Sequence, residues 1–186
     1  LGAVLFYYPG YYLMHPLEIL MVWKGGLSFH GGAIAVFAVT YWFAKKKKIS
    51  FLRVCDIVIV PLAFGQALGR IGNFINGELF GTVTNVPWAM IFPLAGDLLP
   101  RHPSQLYEVA YNLIIGCIVF SLRDKKRKDG WLFGLWLVLY AVARFLVEYV
   151  REPEVIVGPL TLAQLLSVPM ILGGLYLMLR KPSASS

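Results

Sequence analysis

Residues 69–78 read GRIGNFINGE and place one arginine, two asparagines and one glutamate at the end of a long apolar run. The run begins near Phe51, continues as VCDIVIVPLAFGQALGRIGNF, and is long enough to cross a bilayer, which takes about 20 helical residues. A charge near the bilayer centre costs about 2.5–3.5 kcal/mol on insertion scales. The arginine in this run therefore needs a counter-charge or a ligand.

The composition of the whole chain is that of a membrane protein. Of its 186 residues, 58% are hydrophobic and 15% are charged, and the mean hydropathy is +0.68. This balance is too apolar for a soluble domain of this length, so the lipid bilayer is an expected partner. The net charge of +7 does not indicate nucleic-acid binding, because the lysines lie in short runs between apolar segments, as in cytoplasmic loops.

The two cysteines, Cys55 and Cys117, both lie inside apolar segments and have no partner at ligand spacing. Neither a disulfide framework nor a metal site is therefore predicted.

Five apolar segments predict an all-α fold, a polytopic transmembrane helical bundle forming one integral-membrane domain of residues 1–186. The opening stretch 1–8 is too short to span and is interpreted as the tail of a truncated helix, which gives about five full spans plus that tail. The spans are expected to begin near Leu27, Phe51, Pro103, Trp131 and Leu160.

The second span carries a proline and a series of glycines. Pro61 is expected to kink the helix. Gly65, Gly69 and Gly72 are expected to let neighbouring helices come close.

Basic residues predict the orientation of the spans. KKKK (45–48) follows the first span, DKKRK (124–128) the third, and Arg180–Lys181 the fifth. Because positive residues stay cytoplasmic, these stretches and the tail 181–186 are assigned to the cytoplasmic side. The predicted outer loops are residues 9–29, 76–103 and 151–159.

The charged residues within the spans gather at one depth, toward the outer leaflet. They are Arg70, Glu78, Glu108, Arg144 and Glu148. Asp56 is the exception, since it lies close to the cytoplasmic end of its span and is interpreted as an interfacial residue.

In the fourth span, Tyr140, Arg144, Glu148 and Arg151 follow one another at spacings of four, four and three. On a helix they form one stripe. Two interpretations stay open: an Arg144–Glu148 pair that neutralises itself and joins helices, or a stripe that faces a polar cavity and binds an anion.

In the second span, Arg70, Asn73 and Gly77 share one helical face, and Asn76 and Glu78 lie just beyond. Packing through small residues and asparagine hydrogen bonds accounts for the asparagines and glycine. It does not account for arginine, whose guanidinium donates two parallel hydrogen bonds to an anionic oxygen pair such as that of a phosphate.

The chain has three histidines. His15 is expected to be solvated in the outer loop, and His102 either caps the third span or belongs to the site. His30 stands beside two glycines at the depth of the arginines, where an imidazole could act as a general base. Together these features predict an outer-leaflet cavity for an anionic lipid headgroup, with Arg101 and Arg151 as further candidates.

GRIGNFINGE, with GLSFHGG before it and RHPSQLYE after it, closely resembles the bacterial prolipoprotein diacylglyceryl transferase family. The resemblance continues through ARFLVEYVREPE and LTLAQLLSVPM and covers essentially the whole chain in order. It implies transfer of the diacylglyceryl group of phosphatidylglycerol to the lipobox cysteine thiol of a prolipoprotein, with release of glycerol phosphate. This reaction is the first step of lipoprotein maturation, at the outer face of the bacterial inner membrane.

The resemblance also implies roles for individual residues. Arg70 and Arg144 would clamp the phosphate, and His30 would be the base or would position the headgroup. Glu148 would orient Arg144. The implied substrate-binding residues are Arg70, Asn73, Glu78, Gly81, His102, Tyr140 and Glu148, and neither a metal nor a cofactor is required.

An anionic-lipid or anion transporter is the alternative function. A transporter should continue its polar residues toward the cytoplasmic side, where the first, third and fifth spans offer almost none. The sequence therefore favours a site open to one leaflet.

Overall fold

The computed structural model describes residues 29–153 and 156–181, which form parts of two compact units divided between Val54 and Cys55. Its helices are α1 (Phe29–Lys47), α2 (Phe51–Asn76), α3 (Ser104–Leu122), α4 (Trp131–Val147) and α5 (Leu162–Leu179). The predictions for residues 1–8, for most of the loop 9–29 and for the tail beyond Lys181 lie outside the described residues. The single-domain assignment stays a prediction.

In the first unit, α1 is longer than its apolar run and continues through Lys45–Lys47. Lysine is a good helix former, and positive charge is favourable at a helix C-terminus. The chain then turns at Lys48, which has a left-handed φ of 57°. This turn brings the Phe51 ring to 5.1 Å from Phe37.

The core of the second unit lies where α2, α3 and α4 meet. Its buried apolar cluster consists of Ile59, Ala63, Ile115, Val119, Leu132 and Trp136. Many other large apolar side chains on these helices are exposed, as a lipid-facing surface requires.

Among the described residues, three helices are long and apolar enough to cross a membrane, namely α2, α3 and α5. The α4 helix is apolar but has 17 residues, about 26 Å at 1.5 Å per residue, slightly short of a hydrocarbon core about 30 Å thick. The protein is therefore a helical membrane protein, and the count of five full spans stays a prediction.

The expected role of the glycines in α2 is wrong for the described residues. A methyl group added at Gly65, Gly69 or Gly72 would meet no described atom within 4 Å. Helices approach closely at two other glycines instead: a methyl group on Gly134 of α4 would lie 2.7 Å from the carbonyl oxygen of Gly174 of α5. Small residues allow this backbone contact between membrane helices.

Asp56 has a more specific role than the interfacial one predicted. Its carboxylate accepts hydrogen bonds from the backbone N–H groups of Gly130 at 2.6 Å and Phe133 at 2.7 Å. Gly130 precedes α4 and has no side chain to cap it. Asp56 of α2 therefore caps the N-terminus of α4 and complements its helix dipole.

Two short antiparallel hairpins occupy predicted loops. In the first, β1 (Met90–Ile91) pairs with β2 (Pro100–Arg101) around a 3-10 turn at Pro93–Ala95. In the second, β3 (Ile156–Val157) pairs with β4 (Leu160–Thr161).

The second hairpin places the start of α5 two residues after the predicted one. Thr161 and Gln164 then form a reciprocal capping box at the helix N-terminus.

The predicted polar stripe on α4 is partly wrong. The helix ends at Val147, and Arg151 lies beyond it in a β-bridge with Gly81. Tyr140 and Arg144 remain on the helix, and Glu148 is its C-cap. Arg151 is therefore oriented by its extended backbone and not by the helix.

Replacing Gly174 with alanine should destabilise the protein by about 1–3 kcal/mol or more, because the new methyl group would lie 2.6 Å from the Gly134 carbonyl oxygen. The matched control is Gly173→Ala, whose methyl group would meet no described atom within 4 Å. Thermal unfolding in detergent measures both. Equal melting temperatures for the two variants would contradict this account of the α4–α5 contact.

Candidate active site

A buried carboxylate lies at the centre of the site. Glu108 of α3 has a side chain only 1% exposed, and its Oε2 lies 2.7 Å from Nε of Arg70. Its other oxygen, Oε1, lies 3.4 Å from Nη1 of Arg151. One carboxylate thus contacts two guanidinium groups, one from α2 and one from the segment after α4.

Arg70 is the more accessible partner of Glu108, with 22% of its side chain exposed. Its Nη1 donates to Oδ1 of Asn73 at 3.3 Å, three residues along the same helix. Nη2 has no partner among the described residues. Glu108 and Asn73 therefore hold the guanidinium in place and leave N–H donors for an anion.

Arg144 and Glu148 form a second, separate ion pair, with 2.7 Å between Nη1 and Oε2. Both side chains are largely buried, and neither of these two atoms has an aligned hydrogen-bond partner in the described part of the chain. Arg144 lies in the last turn of α4, where the negative end of the helix dipole favours a cation. Arg144 and Glu148 are therefore paired at the end of α4, and the binding of an anion by the α4 stripe stays a prediction.

Tyr111 connects the two arginine pairs. Its hydroxyl donates to Glu108 Oε2 at 3.4 Å, and it lies within electrostatic reach of both Arg70 and Arg144. Its ring makes an edge contact with Tyr140 at 5.9 Å, and Tyr140 stacks on the preceding aromatic residue of α4 at 5.0 Å. Tyr111 thus lies near both arginines, and their joint binding of one phosphate stays a prediction.

Gly81 is a backbone junction between three segments. Its N–H donates to the His102 carbonyl at 2.8 Å, and it forms a β-bridge with Arg151. A methyl group at this position would lie 2.7 Å from the His102 Cβ, so only glycine fits. Gly81 therefore positions Arg151 beside Glu108, and its predicted substrate contact stays a prediction.

Glu78 follows α2 directly and has an exposed side chain. Its carbonyl accepts from Nε2 of Gln105 at 2.6 Å. The next residue, Leu79, has a left-handed φ of 58°, and its carbonyl accepts from the Ser104 hydroxyl at 2.9 Å. For a residue with a side chain this conformation costs about 1–2 kcal/mol. Two buried α3 side chains thus hold a strained turn that directs Glu78 outward.

His102 does not cap α3, so that interpretation is wrong. The cap position is Pro103, which makes no side-chain hydrogen bond. The Nδ1 atom of His102 lies 3.0 Å from the Tyr107 hydroxyl, which accepts from the Trp88 indole N–H at 2.6 Å. Its predicted role in substrate binding stays a prediction.

Arg101 belongs to another cluster. It bonds Asp97 at 2.8 Å and Glu152 at 2.7 Å, and its guanidinium lies 5.1 Å from the Phe80 ring centre. The hydrogen bond from Arg101 lowers the pKa of the Asp97 carboxyl. This network fixes the base of the first hairpin, and the proposal of Arg101 as a phosphate ligand gains no support from it.

His30 lies in the first turn of α1, within the first unit. Its side chain is outside the described part of the chain, so its role stays a prediction. In that described part, no three histidine, cysteine, aspartate or glutamate side chains cluster as a metal site.

Sequence reasoning did not select Glu108 as a site residue. It is a lone acid in an apolar span, at the same predicted depth as the lone Arg70 of the preceding antiparallel span. Matching the acid of one span with the base of the neighbouring span at the same predicted depth would have identified the Arg70–Glu108 contact. The contact with Arg151 carried no such signal, because it depends on the chain leaving the α4 helix.

Fold and site together define a helical membrane protein with paired, buried arginines at one end of its helices. Residues 1–180 match the family model described as prolipoprotein diacylglyceryl transferase. The chain belongs to this family.

Relatives with similar sequences carry the name phosphatidylglycerol–prolipoprotein diacylglyceryl transferase. One from Polynucleobacter necessarius is 49% identical over 183 residues, covering 96% of this chain and 70% of the relative. One from Bordetella avium is 47% identical over 191 residues, covering 100% and 72%. One from Cupriavidus necator is 46% identical over 195 residues, with the same coverage.

Replacing Glu108 with glutamine should destabilise the protein by about 3–5 kcal/mol, because it removes a buried negative charge that lies between the part-buried Arg70 and the buried Arg151. The control is Glu78→Gln, which changes the same group at an exposed position. Thermal unfolding should show a melting temperature lower by about 6 °C or more for Glu108→Gln only, at about 2–4 °C per kcal/mol. A melting temperature equal to that of Glu78→Gln would contradict the central role of this carboxylate.

Proposed function

We propose that this chain transfers the diacylglyceryl group of phosphatidylglycerol to the thiol of a lipobox cysteine in a prolipoprotein. Family membership over residues 1–180 supports the reaction. The observation that carries the chemistry is Arg70, held by buried Glu108 at 2.7 Å with Nη2 unpartnered among the described residues.

The reaction exchanges one bond for another at a glycerol carbon. The substrate thiol loses its proton, and its sulfur attacks the carbon that bears the phosphate ester oxygen. A carbon–sulfur bond forms, the carbon–oxygen bond breaks, and its electron pair leaves with glycerol phosphate. Negative charge therefore grows on the phosphate in the transition state, where fixed cations contribute most to the rate.

Arg70 is the first phosphate clamp. Its position is set by Glu108 and Asn73, so little reorganisation is needed when charge develops. Glu108 carries the same sign of charge as the phosphate, so its role is to keep the Arg70 guanidinium aligned. Asn73 and the outward-facing Glu78 are proposed to position the headgroup hydroxyls.

Arg144 is the second clamp, and Glu148 orients it. Their contact is 2.7 Å from Nη1 to Oε2, so the carboxylate sets the direction of the guanidinium. Tyr140 lies one turn earlier on α4 and forms the aromatic wall that Tyr111 shares.

His30 is the proposed base for the thiol, and positioning of the headgroup is its alternative role. A free thiol titrates near about pH 8.5 and is a nucleophile only as the thiolate. An imidazole near neutrality is suited to take that proton.

The protein is proposed to lie in the bacterial inner membrane, with its site toward the outer face and its C-terminus in the cytoplasm. The basic stretches 45–48, 124–128 and 180–181 support this orientation. About five full spans, and a prolipoprotein signal peptide as the second substrate, complete the proposal.

Replacing Arg70 with alanine in the full-length protein should lower kcat at least about 10²–10³-fold, since it removes preorganised donors from the charge that develops. Arg70→Lys should recover only part of this loss, because lysine lacks the planar fork. The assay incubates the protein with phosphatidylglycerol and a lipobox peptide and measures the mass of the peptide.

Arg123→Ala is the control for Arg70→Ala, since Arg123 is exposed after α3 and pairs only with neighbouring groups in the described structure. It should keep normal activity. Normal transfer by Arg70→Ala would remove Arg70 from the mechanism. Lipid movement across the membrane without a thioether product would favour a transporter instead.

Replacing His30 with glutamine should lower kcat about 10²–10⁴-fold, the usual contribution of a general base. The loss should shrink as pH rises toward the titration of the thiol, because less base assistance is then needed. His15→Gln, outside the GLSFHGG stretch, is the control. A loss of only a fewfold at all pH values would assign His30 to positioning.

A further inference from the structure

The first hairpin carries an exposed apolar surface that the reaction does not use. Its tip is defined as residues 88–99. The exposed large apolar side chains of the tip are Trp88, Met90, Ile91, Leu94, Leu98 and Leu99. Leu98 is 82% exposed and Leu94 is 66% exposed. Large apolar side chains that are exposed together in one short segment indicate an interaction site.

The tip is held firmly against the end of α2. Phe92 is only 4% exposed, stacks on Phe80 at 5.5 Å and meets Phe74 edge-on at 6.3 Å. Phe92 is thus buried inward while its neighbours along the chain point outward. The leucines point outward because the hairpin is packed with Phe92 on its inner side.

The exposed surface of the tip continues that of α2. Leu94 packs over Gly77: a methyl group added at Gly77 would lie 3.9 Å from the Leu94 side chain. Ile75, in the last turn of α2, is 77% exposed. Since α2 is long and apolar enough to cross the membrane, Ile75 faces lipid, and Leu94 extends the same surface beyond the helix end.

Charge on this surface is sparse and paired. From Leu79 to Gly96 the sequence carries no charged residue. The one charged residue of the tip, Asp97, lies 2.8 Å from Arg101 of the hairpin base, which also bonds Glu152. Trp88 has its indole N–H satisfied by Tyr107, and tryptophan is typical of the membrane interface.

We infer that the tip lies in the leaflet nearest the Arg70–Glu108 pair, with Leu94 and Leu98 among the acyl chains about 5–10 Å deep at the headgroup boundary. Its occupant is lipid. The inference rests on the membrane placement in the proposed function but not on catalysis.

The inferred position links the tip to the site. The chain runs from the tip through the base at Arg101 to His102, whose carbonyl binds Gly81, which in turn bridges to Arg151. The tip is therefore tied through His102 and Gly81 to the segment that carries Arg151.

The test measures the depth of the tip directly. In a background with Cys55→Ala and Cys117→Ala, Leu98→Cys is labelled with an environment-sensitive fluorophore, and the full-length protein is placed in phosphatidylglycerol nanodiscs. The expected result is blue-shifted emission that spin-labelled lipids quench and aqueous iodide does not. Asp124→Cys, 81% exposed in the side chain after α3, is the control and should show the reverse.

A label at Leu94→Cys gives an independent second position if the first variant fails to fold. Water-like emission with iodide quenching at both positions would overturn the inference. A label that becomes protected from iodide only after addition of a lipobox peptide would indicate that the tip binds the peptide, and this result would also overturn the inference. Lipid quenching in a preparation without transfer activity would support the inference while counting against the proposed function.

Discussion

The buried carboxylate of Glu108 is the constraint on which the site depends. It is 1% exposed and contacts guanidinium groups from α2 and from the segment after α4. Removing a charge from water costs several kcal/mol, and only partners with good geometry offset this cost. The ion pairs therefore fix the relative positions of α2, α3 and the segment after α4 more than they raise the free energy of unfolding.

The two ends of the second unit are organised by different interactions. At one end, Asp56 caps α4 and the backbone carbonyl of Asp129 accepts from Arg180 at 2.6 Å. At the other end, buried ion pairs and the Gly81 junction hold the arginines. The rigid contact of α4 with α5 at Gly134 lies nearer the first end. The charged side chains of the candidate site are thus concentrated at one end of the unit, and the capping interactions at the other.

The sequence predicts the helices well because hydropathy and basic flanks mark their limits. It places α2 at Phe51 and α4 at Trp131, as the structure does. The sequence does not predict features that depend on which residues become neighbours in the folded structure. Gly65 and Gly174 look alike as small residues in apolar helices, but only Gly174 meets another backbone. Spacing likewise aligned Arg151 with the α4 stripe, because no local signal marks the end of that helix at Val147.

The pairing of Arg70 with Glu108 has a consequence for biogenesis. A single charged residue at the centre of a span costs about 2.5–3.5 kcal/mol during insertion. Two antiparallel helices that enter together can bring opposite charges into contact, at 2.7 Å here, before either faces lipid. Insertion of α2 and α3 as a pair would therefore lower the cost of placing both charges within the membrane.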